Sequence, residues 1–131
     1  GKAACRKELE MVEQMRGVMF KFITYLRNDD YIVAPYPPIE LLDDKGIWIP
    51  EGDDWGGLND RHAFGRRGEM QTYLNRYKSF VNGQMLADID ADFYNHSIRG
   101  AIYSVNPERI LLLHVERHGL QVRRMLPVTA R

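Results

Sequence analysis

At 131 residues, 44% hydrophobic and 27% charged, the chain has the size and composition of one folded domain, far from the range in which chains stay disordered. Its 18 Lys and Arg balance its 18 Asp and Glu, so no overall field draws it to nucleic acid or anionic lipid. A single cysteine, Cys5, excludes an internal disulfide and a Cys-based zinc cluster and favours a soluble protein of the cytoplasm or another reducing compartment, and no apolar run is long enough for a transmembrane segment.

From Ala4 to Phe20, Met11, Val12, Met15, Val18 and Met19 share one helical face, while Arg6, Lys7, Glu10 and Glu13 fall elsewhere. This predicts an amphipathic helix whose methionines fill the core. Lys21 to Leu26 is rich in β-branched and aromatic residues and ends at Arg27-Asn28-Asp29-Asp30, which predicts an interior strand, Phe22 to Leu26, running into a polar turn. A second short strand is expected over Tyr31 to Ala34, before Pro35, Pro37 and Pro38 impose an extended connection.

Gly46 to Pro50 reads as a further strand, delivering the chain into Glu51-Gly52-Asp53-Asp54-Trp55-Gly56-Gly57. Three glycines in six residues there mark a sharply bent loop. Met70, Tyr73, Leu74, Tyr77 and Phe80 recur at helical spacing and predict one helix from Arg67 to Phe80, whereas Asn82 to Val105 reads as irregular. Asn106-Pro107-Glu108 supplies an N-cap, a first-turn proline and a first-turn acid for a helix running to His118 and stopping at Gly119. Leu120 to Leu126 alternates as a closing strand. The order implies an α/β or α+β fold: a mixed sheet flanked by helices.

Two segments carry groups suited to chemistry. Asp29 and Asp30 sit at a strand end, where hard oxygen ligands can hold a divalent cation, though acids there more often simply cap the turn. The loop from Asp53 to Arg61 combines carboxylates, an indole and paired glycines, a mixture that suits either a sugar site or a tight loop with Trp55 as a core plug. Asp60 is a candidate general base towards an acceptor hydroxyl. Asp88-Ile89-Asp90-Ala91-Asp92 contains a DxD, but Phe93 and Arg99 stand where a calcium loop needs Gly and Glu, so it reads as a solvated acidic turn. His114 and His118 lie one helical turn apart without an HExxH pattern, and His118 more simply complements a helix C-terminus.

The run Asp54-Trp55-Gly56-Gly57-Leu58-Asn59-Asp60-Arg61-His62-Ala63-Phe64-Gly65, with Tyr73-Leu74-Asn75-Arg76-Tyr77, resembles the signature of a GT-A-like glycosyltransferase family of bacteria, algae and large algal viruses. Thr24 to Asp29 resembles that family's strand ending in Arg-x-Asp, its version of the metal-binding DxD, and Asn106 to Gly119 resembles its C-terminal helix. The resemblance covers most of the chain from Phe22 onward and implies a partial GT-A-like sheet, with residues 1–131 as one domain similar to the acceptor-side, C-terminal half of such an enzyme. It implies transfer of a sugar from a nucleotide-sugar donor to a carbohydrate or other hydroxyl acceptor with Mg or Mn. Asp29 would be the metal ligand, Arg27 would stand where many such enzymes place the first Asp, and Asp54, Trp55, Gly56, Gly57, Asn59, Asp60 and Arg61 would line the sugar and acceptor side. Only one helix precedes the Asp29 strand, whereas such enzymes begin with several strand-helix units that grip the nucleotide. The alternative is a non-catalytic, glycosyltransferase-derived interaction subunit in which another chain completes the sheet.

Overall fold

The computed structural model describes residues 2–42, 45–100 and 105–130. The expected mixed α/β architecture is present. Strands β1 (Phe22–Leu26), β3 (Ile47–Pro50), β4 (His62–Arg66) and β5 (Val122–Met125) form one sheet in the order β1-β4-β3-β5. β4 runs antiparallel to both β1 and β3, and β5 runs parallel to β3. A separate two-residue ribbon pairs β2 (Tyr31–Ile32) with β6 (Thr129–Ala130). β1 is therefore an outer strand rather than an interior one: apolar composition reports coverage of its faces, not the number of its neighbours.

Alternation along the strands sorts the two faces. Ile23, Ala63, Ile47 and Ile49 join Met70 and Tyr73 of α2 (Arg67–Leu74) and Leu111 of α5 (Pro107–Arg117) in one core. On the opposite face Phe22 stacks on Phe64, and Tyr36, from the proline-rich connection, packs edge-on against Phe64 and His62. The Asn106 side chain accepts from the Arg109 amide, so the expected cap opens α5, and Gly119, at φ 61°, follows its end.

Four helical expectations change. α1 (Lys2–Arg16) stops at Gly17, whose φ of 67° ends it short of Phe20. Its Met11 and Met15, and Met19 beyond its end, are exposed and are not core filler; the helix is anchored instead by buried Glu13, which receives a two-pronged bond from Arg67 and one from the Phe20 amide. The single helix expected from Arg67 to Phe80 is two, α2 and α3 (Arg76–Val81). The ladder lapses at Asn75, a poor helix former whose side chain is engaged by Arg6. Residues 86–98, expected to be irregular, form α4 (Leu86–Ile98). That helix lacks a buried apolar stripe, with Leu86, Phe93, Tyr94 and Ile98 all exposed. It docks on α5 through charge instead: Arg109 forks onto Asp92, and Arg117 bonds Asp88 at 2.7 Å. The acidic run is thus helical, and Asp92 is buried rather than solvated.

Candidate functional site

The sheet topology brings three chain segments to one end of the sheet. β1, β3 and β5 all point the same way, so the turn after Leu26, the loop after Pro50 and the tail after Met125 emerge together, where β4 begins. In open α/β sheets the carboxyl ends of the strands are where ligands bind. A cavity of ≈ 350 Å³ lies among these segments, lined by Asp30 from the turn, Pro50, Glu51, Gly52, Asp53, Asn59 and Arg61 from the loop, and Pro127, Thr129 and Ala130 from the tail. The β2–β6 ribbon and the bond from the Val33 amide to the Val128 carbonyl, 2.8 Å, hold the tail in place.

On the turn, Arg27 forks onto both carboxylate oxygens of Asp29 at 2.9 and 2.7 Å, and its other nitrogen lies 3.9 Å from Asp60. The backbone fixes this arrangement, since the Arg27 amide donates to the Arg61 carbonyl at 2.9 Å. Asp29 and Asp60 therefore share one side of the domain, bridged by Arg27. Asp29 is solvent-facing, whereas the Asp60 side chain is only 5% exposed and is held by the equally buried Arg76 at 2.7 Å. Tyr25 records the charge beside it: burial and then the Asp60 carboxylate push its phenol up to about 12. The Asp60 carboxylate is thus enclosed between Arg27 and Arg76 and is turned away from solvent. Its position suits orienting Arg27 and Arg76.

The loop is fastened rather than open. Asp54 accepts from the Asn59 amide at 2.9 Å and from Arg124 at 2.9 and 2.7 Å. The Asn59 side chain is consumed by the Gly52 carbonyl and the Arg61 amide. Arg61 bonds Asp53. Trp55, expected either to face a sugar or to plug the core, is 66% exposed and so does not plug the core; it borders α5, with its carbonyl accepting from Asn106 at 2.8 Å, and lies outside the lining of this cavity. Gly56 sits at φ 81°, and Gly57 is a glycine because α5 comes too close for a side chain: a Cβ there would fall 2.1 Å from the Glu108 carbonyl. Asp54, Gly57, Asn59 and Asp60 thus build the loop, while Arg61 reaches the cavity.

Of the two strand-end acids, Asp30 rather than Asp29 lines the cavity. One of its carboxylate oxygens is buried without a hydrogen-bond partner, as is Nε of Arg61. Arg76, Arg124 and the tail residues were not expected at the site. Arg76 lies inside the Tyr73 to Tyr77 segment that carries the resemblance, and Arg124 interrupts an otherwise apolar strand face; both were available signals. His62 beneath the turn is buried, hydrogen-bonds Tyr36, and is held below the ordinary histidine range by burial, against the opposing pull of Asp30.

For a divalent cation, the described residues contain no group of three or more His, Cys, Asp or Glu that would hold one. The donor set fits a cation only of the kind bound through one carboxylate, Asp29, with the remaining ligands from water and a substrate's phosphates. No helix among the described residues is long and apolar enough to cross a membrane. Comparison of the chain with family models, curated proteins and solved structures gives no match.

Proposed function

We propose that the chain is the acceptor-side part of a GT-A-like glycosyltransferase, moving a sugar from a nucleotide-diphosphate donor to a hydroxyl acceptor. The observation that supports this best is the convergence, at the carboxyl ends of β1, β3 and β5, of the Arg27-x-Asp29 turn and the Asp54 to Arg61 loop around a polar cavity. Both are among the segments whose residues resemble the family. In this reading the bond from the anomeric carbon to the diphosphate oxygen breaks, that oxygen keeping the electron pair, as the acceptor oxygen bonds the carbon, and the hydroxyl proton passes to solvent water. Mg or Mn, held by Asp29 and the donor's own phosphates, would neutralise the departing diphosphate. Arg27 adds positive charge beside it, and Asp60 keeps Arg27 in place.

A second reading, the interaction subunit, is favoured by the outer position of β1 and by the exposed apolar side of α1, where Met11 is 53% and Met15 81% exposed. Calorimetric titration with nucleotide-diphosphate sugars, with and without Mn²⁺, separates the two. Transfer requires weak, metal-dependent donor binding that Asp29→Ala removes. Absence of donor binding under both conditions leaves the subunit reading standing.

A further inference from the structure

We infer that the cavity between Asp30, Arg61 and the C-terminal tail is a subsite for a neutral, polyhydroxylated ring, and that it is not where a diphosphate binds. Its volume, ≈ 350 Å³, lies near the lower end of the roughly 300–1,000 Å³ of small-ligand sites, which suits a single sugar ring. Its charge argues against an anion. Asp30, Glu51 and Asp53 contribute three carboxylates against the one guanidinium of Arg61, and that guanidinium is already paired with Asp53.

Its hydrogen-bonding capacity argues for hydroxyls. Asn59 donates to the Gly52 carbonyl and accepts from the Arg61 amide, which holds it within the loop. The Asp30, Glu51 and Asp53 carboxylates accept, and the Thr129 hydroxyl both donates and accepts, so the lining offers partners to hydroxyls, each of which is itself donor and acceptor. The acids here do not converge as a metal-ligand group among the described residues. Pro50 and Pro127 add the apolar surface on which a ring's C–H faces pack. The tail thereby becomes part of the site.

This deepens the glycosyl-transfer reading and depends on it only for calling the bound sugar an acceptor. The test is an amide-resolved NMR titration of the whole chain with glucose, galactose, mannose and N-acetylglucosamine at millimolar concentration, and separately with inorganic pyrophosphate. At least one sugar is expected to give saturable shifts at Gly52 and Thr129 that pyrophosphate does not reproduce. Asp30→Asn should weaken that sugar about ten- to hundredfold, the loss expected for a bond to a charged acceptor. Ala130→Phe, at an exposed position, should block the cavity while leaving the fold intact. Sugar binding without donor binding would keep this site and remove transfer; donor binding without sugar binding would overturn this site alone. Pyrophosphate shifts at these amides, or unchanged binding in both variants, would also overturn it.

Discussion

Asp60 gives the sharpest test, because its two roles predict opposite phenotypes for the same substitution. As a general base it would tolerate Asp60→Asn structurally and lose only chemistry. As placed, it is one half of a buried ion pair, with Asp60 and Arg76 side chains 5% and 4% exposed and 2.7 Å apart. Removing one partner of such a pair costs about 3–5 kcal/mol, since the survivor stays buried and uncompensated. That is a large share of the roughly 5–15 kcal/mol that holds a domain together, and for a chain of this length it lowers Tm by roughly 10–20 °C. Urea denaturation followed by circular dichroism measures it directly. Arg76→Met should cost a similar amount, and the double variant clearly less than the sum, because neither charge is then stranded. An Asp60→Asn protein within about 0.5 kcal/mol of wild type, the range of inconsequential surface changes, would refute the ion-pair reasoning.

Gly57→Ala should destabilise by about 1–3 kcal/mol, the usual cost of overpacking, because its Cβ meets the Glu108 backbone; Gly56→Ala meets nothing within 4 Å and should cost only the roughly 1–2 kcal/mol of a left-handed residue, so urea midpoints should rank the two in that order. Burial holds both His62 and His114 below the ordinary histidine value of about 6.5, so the unfolded chain takes up these protons first and stability should fall as pH drops through about 6.5; a His114→Gln variant should show a shallower loss between pH 7 and 5. Glu13 lies below the ordinary glutamate value of 4.5, chiefly through its bond from Arg67, so its contribution is present above 4.5 and should be lost as pH falls below that, a second phase that Glu13→Gln removes. Arg124→Met should speed hydrogen exchange at the Asn59 amide about two- to fivefold, the equivalent of a half-exposed ion pair worth ~0.5–1 kcal/mol, while β4 amides stay unchanged.

What could be read from sequence was what local rules govern. β1, β3, β5 and the cap of α5 follow from apolar runs, glycine punctuation and the Asn-Pro-Glu start. α4 was illegible because a helix docked by Asp88 and Asp92 onto Arg117 and Arg109 carries no apolar period to detect. β4 was missed because His62-Ala63-Phe64-Gly65-Arg66 is covered on both faces and alternates nothing, and α1 misled because its buried contact is Glu13 rather than its methionines. At the site, the Asp29 and Asp53 to Arg61 segments were visible, but not which of their members hold the loop together. That division depends on Arg76 and Arg124, brought in by tertiary structure from 16 and 70 residues away.

The division also says which part of the site can respond to a ligand. Asp53 and Trp55 are held at φ 52° and 43°, left-handed conformations that cost of order 1–2 kcal/mol for a residue with a Cβ. They persist because the surroundings over-determine them: the Gly57 amide donates to Asp54 at 2.7 Å, the Leu58 amide to Glu108 at 3.0 Å, and Arg124, Asn106 and Arg109 bind the loop from two other elements. A loop fixed from several sides meets a ligand as a preformed wall, which lowers the ordering cost of binding. The turn is different. Its Arg27–Asp29 pair is a third to a half exposed, and pairs of that kind contribute about 0–1 kcal/mol. A cation at Asp29, or a phosphate at Arg27, can therefore displace that pair at little cost while the Asp54 to Arg61 wall keeps its shape, so adaptation at this end of the sheet is confined to residues 27–30.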